Sequence, residues 1–94
     1  MLSKIPIDLS KVHPENIDKE ILRLAVIAEL DAINLYEEMA AMANSEDIMK
    51  ILLDVAKEEK THVGEFQTLL LKYDEEQLKE LESGKKEVEE ELGH

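Results

Sequence analysis

The sequence contains no cysteine and no tryptophan. The missing thiols exclude a disulfide framework and any thiolate metal site. Aromatic residues make up only 3% of the chain, so a core has to be built from aliphatic side chains and alanine. Proline occurs twice, as Pro6 and Pro14, and glycine three times. Beyond Pro14 the chain is nearly free of helix breakers. No run reaches the roughly 20 apolar residues that a membrane span needs. The opening MLSKIPIDLS lacks the continuous apolar core of a signal peptide. Neither a glycine-rich phosphate loop nor a nucleophile–base arrangement is present. Positive charge is scarce as well: 11 bases against 23 acids leave a net charge of −12. That balance argues against nucleic acid and against anionic membrane surfaces as partners. A soluble, cytoplasmic protein with an acidic surface that attracts cations is expected. Its 94 residues make one small domain, which buries little surface alone and favours oligomers.

What the chain does have is helical periodicity. Residues 1–16 show no sustained period and read as an extended arm. His13, beside Pro14, has no partner in sequence and reads as incidental. A first helix is expected from Ile17–Asp18 to about Ala43, with Asn16 as N-cap and Asp18 and Glu20 in its first turn. Its stripe is Leu22, Ala25, Glu29, Ala32, Tyr36, Met39, Ala43, with the alternating steps of a packed seam. Between Leu24 and Tyr36 only Glu29, Asp31 and Asn34 are polar. A helix apolar nearly all round is covered on more than one side. Asn44-Ser45 breaks the pattern and caps a second helix, expected from Glu46 to about Lys72. The short break predicts an antiparallel hairpin over residues 17–73. The second stripe runs Ile48, Leu52, Val55, Glu59, His62, Phe66, Leu69, Tyr73, and Ile51, Ala56, Val63 and Leu70 widen it. In residues 74–94 a weaker helix follows Asp74, with Asp74 and Gln77 as a capping pair. Leu78, Leu81, Val88 and Leu92 keep its seam, and Ser83-Gly84 is expected to break or bend it. The fold class is all-α.

Three residues do not belong on apolar seams: Glu29, Glu59 and His62. A carboxylate buried without a partner costs several kcal/mol or changes its protonation. Glu29 and Glu59 lie equally far from Asn44, so an antiparallel hairpin sets them at one height, roughly 22 Å from the turn at ~1.5 Å per residue. His62 follows Glu59 by three residues and shares its face. Two accounts fit: a metal site, or a buried polar network that fixes helix register. Glu-x-x-His by itself is a weak motif; Glu91-Leu92-Gly93-His94 matches it too, at a terminus. Met39, Met42 and Met49 read as packing rather than a copper site.

Carboxylates with a neutral imidazole suit iron, manganese or zinc. Three ligands are few for a redox iron site. Dimers about a two-fold axis are the commonest assembly, and two chains would supply four glutamates and two histidines. Di-iron carboxylate bundles use that inventory: a Glu from each of two helices and Glu-x-x-His from each of the other two. Each chain would then be half of a four-helix bundle, completed by a homodimer.

The stretches Ala28-Glu29-Leu30-Asp31-Ala32-Ile33-Asn34-Leu35-Tyr36 and Lys57-Glu58-Glu59-Lys60-Thr61-His62 resemble the encapsulated ferritin family, half-length relatives of the ferritins and rubrerythrins. The resemblance covers about residues 15–92. It implies a ferroxidase centre between two chains, with Glu29, Glu59 and His62 as ligands from each and two iron ions per dimer. Manganese, zinc or calcium are possible substitutes for iron. It further implies a ring of dimers, a decamer, carried as cargo inside an encapsulin compartment whose shell holds the oxidised iron. Some relatives carry acids on both sides of the first ligand; here Ala28 precedes Glu29 and only Asp31 follows nearby. Leu35 stands where some relatives have Trp.

Within that frame Glu59 is the candidate bridging ligand and Glu29 a terminal one, with Ile33, Val55, Val63 and Phe66 excluding bulk water. Tyr36 either hydrogen-bonds a ligand carboxylate or is a buried tyrosine with another partner. Asp31, Glu58 and Glu65 are candidate entry ligands or plain surface charges. Two rival functions remain: a rubrerythrin-like peroxide reductase, and a non-catalytic helical assembly module with a structural metal.

Overall fold

A computed structural model describes residues 8–94. Three α-helices carry the chain: α1 (Ile17–Met42), α2 (Glu46–Tyr73) and α3 (Glu75–Leu92). Among the described residues there is no strand, and no helix is long and apolar enough to cross a membrane. Residues 1–7 of the expected arm lie outside the described residues. The rest of the arm is not extended throughout: it holds two short 3-10 turns, Leu9–Lys11 and Pro14–Asn16. Pro14 opens the second of these, where its fixed φ and missing N–H cost nothing. Asn16 stands at the N-cap of α1 but makes no side-chain capping bond.

The two expected breaks sit where local chemistry puts them. Ser45 caps α2, its hydroxyl oxygen accepting from the Ile48 N–H at 3.3 Å. Asp74 caps α3, accepting from the Gln77 N–H at 3.0 Å. α3 is stronger than its sequence suggests. It runs unbroken through Ser83 and Gly84, contrary to the expected bend. It ends at Gly93 in the left-handed region (φ 77°), where the Gly93 and His94 N–H groups return to the Glu89 carbonyl, the usual glycine C-cap arrangement. One interior glycine costs only about 1 kcal/mol relative to Ala, too little to interrupt so regular a helix.

α1 and α2 pack along each other as an antiparallel hairpin. The buried apolar residues at their contact are Ile33 and Ala40 on α1, and Ala56 and Leu70 on α2. Val63 lies midway between the last two and is half-buried. These positions repeat every seven residues, the spacing of a packed helix pair. On α2 they are residues that widen the stripe read from sequence; on α1, Ile33 and Ala40 sit one place beside it. Met39, Ile48, Leu69 and Tyr73 of those stripes are 36–59% exposed. The hairpin thus has an inner seam of small and branched residues, and flanking stripes that are more exposed. Glu29, Glu59 and His62 belong to the flank.

The described chain measures 46 × 44 × 20 Å. Residues 46–92 run straight on would span about 70 Å at ~1.5 Å per residue, so the chain turns between α2 and α3. No residue of α3 is buried. Large apolar side chains are exposed along all three helices: Ile51 is 65% exposed, Met42 80% and Leu92 62%.

Candidate metal centre

The hairpin brings the three anomalous residues together. Nδ1 of His62 lies 3.3 Å from Oε2 of Glu29 and 3.4 Å from Oε2 of Glu59. One ligand atom from each of the three side chains falls within 4.8 Å of the others. The backbone explains the meeting. Side chains on a helix lean toward its N-terminus. On α1 that is away from the turn; on α2 it is toward the turn. Glu29 therefore reaches up to meet His62, which starts about a turn further from the hairpin end and reaches down. The same lean lets Lys60 of α2 reach Glu37 of α1, 3.1 Å away, though their Cα atoms lie at different heights.

The donor set fits a first-row divalent metal. Bonds of ~2.0–2.2 Å to nitrogen and oxygen, as at zinc, separate neighbouring ligand atoms by roughly 3–3.6 Å. The His62 nitrogen stands at that distance from both carboxylates. The His62–Glu29 approach is also within hydrogen-bonding reach. One nitrogen facing two carboxylates is an arrangement that could share a cation. The alternative, His62 bridging two glutamates through a proton, uses the same contacts.

The group is half-covered. Glu29 and Glu59 side chains are 20% and 18% exposed, while His62 is 44% exposed. Water exclusion by one chain is incomplete. Ile33 is buried, but Val55, Val63 and Phe66 are only partly so. Tyr36, two turns beyond Glu29, is half-buried and makes no hydrogen bond among the described residues. Asp31, Glu58 and Glu65 stay outside the convergent group. Asp31 is turned about 200° around α1 from Glu29, and Glu58 and Glu65 are exposed.

Sequence reasoning missed two polar links. One is Lys60–Glu37. The other ties α1 to the start of α3: Arg23 Nη2 donates to Asp74 Oδ2 at 2.6 Å, and its Nη1 to Glu20 Oε1 at 3.1 Å. Arg23 is the chain's only arginine, the one signal that could have singled it out. The Gln77 N–H and the Arg23 guanidinium hold the Asp74 carboxyl below its ordinary range.

Comparison with known proteins bears on all of this. Residues 20–92 match the rubrerythrin family. The chain is 56% identical, over 99% of its length, to a ferritin-like–encapsulin shell fusion protein of Pyrococcus furiosus, of which it spans 28%. It is 43% identical over 60% of its length to an encapsulin nanocompartment cargo protein of Myxococcus xanthus, spanning 43% of that protein. Its fold superposes on the crystal structure of an encapsulated ferritin domain from Pyrococcus furiosus with a TM-score of 0.84, at 55% identity, covering 100% of this chain and 98% of that one. The chain therefore belongs to the ferritin-like rubrerythrin family, as a member of its encapsulated ferritin branch.

Proposed function

We propose that this chain is one half of a ferroxidase centre, oxidising Fe2+ to Fe3+ between two copies that each supply Glu29, Glu59 and His62. The observation that carries this is the convergence of two carboxylates and one imidazole nitrogen, with ligand atoms within 4.8 Å, beside apolar side chains that are only partly buried. One chain offers three ligands and leaves His62 44% exposed. A second copy laid over this face completes the ligand set and covers the apolar stripe that includes Met39, Ile48 and Leu69.

Iron is the substrate here. Two ferrous ions each give up one electron, and dioxygen takes both electrons with two protons to leave hydrogen peroxide. The chain's own groups do the rest. Glu29 and Glu59 supply negative charge that favours the higher oxidation state. His62 presents Nδ1 to the site and so must be neutral at that nitrogen. Closure by the second copy excludes bulk water. The resemblance to a shell fusion and a shell cargo protein supports a place inside an encapsulin compartment, in a ring built from such dimers.

Oxygen uptake after adding Fe2+ tests the reading, with Glu59→Ala alongside the wild type and circular dichroism to verify that the variant is folded. Rapid uptake lost in the variant supports the shared ferroxidase site. Equal background rates in both overturn it and leave a structural metal or the polar network. The rubrerythrin match favours one further arm, with hydrogen peroxide as oxidant and an external electron donor. The chain has no cysteine, so it carries no thiolate relay of its own for that reaction.

A further inference from the structure

The buried seam divides the hairpin into two flanks. At ~100° per residue, Glu29, Glu59 and His62 all lie to one side of Ile33, Ala56 and Val63. The other flank is marked by the two cross-helix ion pairs, Arg23–Asp74 and Lys60–Glu37. On α2 this second flank is unlike the rest of an acidic protein. From Lys50 to Gln67 it presents Lys50, Leu53, Lys57, Lys60, Gly64 and Gln67, with no acid, in a chain of net charge −12. Lys50 and Lys57 are exposed and make no ion pair among the described residues. Leu53 beside them is 45% exposed, and Ile27 and Leu30 on α1 are 44% and 50% exposed. Gly64 continues the row of Lys50 and Lys57. A Cβ there would meet nothing within 4 Å, so nothing in its own chain calls for a residue that weakens a helix.

α3 carries the complementary pattern. Leu78, Leu81, Val88 and Leu92 are 40–62% exposed. With Lys85 at their centre they follow the alternating steps of a packed seam. No residue of α3 is buried, so its own chain leaves that seam open. One edge of the seam is a row of glutamates spaced by seven, Glu75, Glu82 and Glu89; the opposite edge has only Glu91. Seven residues rise ~10.5 Å, the same interval that separates Lys50 from Lys57. Glu75 and Glu89 touch Lys79 and Lys85 at 3.6 and 4.0 Å, exposed pairs of little energy. Glu82 makes no ion pair among the described residues. Two α3 helices are poor partners for each other. Each has eight glutamates against three lysines, so pairing sets like charge against like.

We propose that α3 of one copy docks on the lysine-bearing flank of a second copy. Its leucine seam lies over Leu53 and Leu30, and its Glu75–Glu82–Glu89 edge runs along Lys50 and Lys57. The occupant is a second copy because this flank offers the charge that α3 lacks, at the same spacing. The surface faces away from Glu29, Glu59 and His62. A chain can therefore use it while that group faces another copy, and contacts on two opposite flanks join pairs into larger assemblies. The docking stands whether or not the group binds metal.

Charge reversal tests it, on the full chain with chelator present throughout. One variant reverses the α3 edge, Glu82→Lys with Glu89→Lys. The other reverses the α2 row, Lys50→Glu with Lys57→Glu. Sedimentation velocity reads the association, and circular dichroism verifies that each variant is folded. Each variant alone is expected to associate about tenfold more weakly than wild type. An equimolar mixture of the two is expected to recover wild-type association, because each then offers the charge the other needs. Net charge alone gives a different result: the α3 variant moves from −12 to −8 and would associate more tightly. Tighter association of the α3 variant, or an α2 variant that associates like wild type, overturns the proposal. A mixture no stronger than its parts also overturns it, as does a wild type that stays monomeric.

Discussion

Glu59→Gln separates a metal site from a register-fixing network, because the two give opposite signs. The substitution keeps volume and removes one charge. The ligand oxygens of Glu29 and Glu59 lie within 4.8 Å. Two unit charges at that distance repel by about 3.5 kcal/mol at an effective dielectric of ~20, and by about 0.9 kcal/mol in bulk water. Both side chains are one-fifth exposed, so the repulsion lies between those limits, and any proton on His62 offsets part of it. The metal-free Gln variant is expected to be more stable than wild type by about 1 kcal/mol, or ~4–8 °C in Tm for a chain of this size. A bound metal reverses the order. A ligand at 100 times its Kd stabilises its protein by about 2.7 kcal/mol, and the Gln variant forfeits most of that. The assay is thermal unfolding followed by circular dichroism, with chelator and then with Fe2+ under anaerobic conditions. A Gln variant that is less stable without metal, in a protein whose Tm metal does not move, refutes the argument. It would make Glu29, His62 and Glu59 a hydrogen-bonded network.

Two further outcomes follow from the geometry. A Cβ added at Gly84 would meet nothing within 4 Å, so Gly84→Ala is expected to stabilise α3 by about 0.8–1 kcal/mol, read as roughly four- to fivefold slower amide exchange across residues 80–90. Faster exchange would mean that another copy approaches the backbone there. For Asp74, the folded pKa lies below its ordinary value of 3.8; a depressed carboxylate adds stability above its unfolded pKa and loses it as pH falls through the folded one. The groups facing it are Arg23 and Lys19 from α1, the Gln77 N–H from α3, and Glu20 through Arg23. The stability difference between wild type and Arg23→Gln should therefore stay constant from pH 7 to 5 and shrink only below about pH 4. A difference already lost near pH 6 would show that a group other than Asp74 is the partner through which Arg23 stabilises the fold.

The breaks in the fold were legible because capping is local. Ser45 and Asp74 each bind an N–H three residues on, and nothing distant is needed to see it. The packed face was not legible in the same way. α1 is apolar nearly all round, so periodicity shows that several sides are covered without showing which side meets α2. The small and branched residues Ile33, Ala40 and Ala56 took the inner seam, since close helix approach favours them, and the larger Met39, Ile48 and Leu69 were left on the flank. The Arg23–Asp74 link spans 51 residues, and no local pattern announces a contact of that range.

The site was legible for the opposite reason: charge on an apolar stripe is an energetic contradiction that calls for an occupant or a partner. The hairpin resolves it only in part. Glu29, Glu59 and His62 meet, yet the histidine stays nearly half-exposed and the stripe residues beside it, Val55 and Phe66, are only partly buried. A register network between α1 and α2 would belong on the inner seam, where Ile33 and Ala56 sit. On the flank these side chains still join α2 to α1 through the His62–Glu29 contact, while the exposed part of the histidine is open to another surface. A metal and an internal network use the same three side chains in the same place, and the sign of the Glu59→Gln effect on stability is what tells them apart.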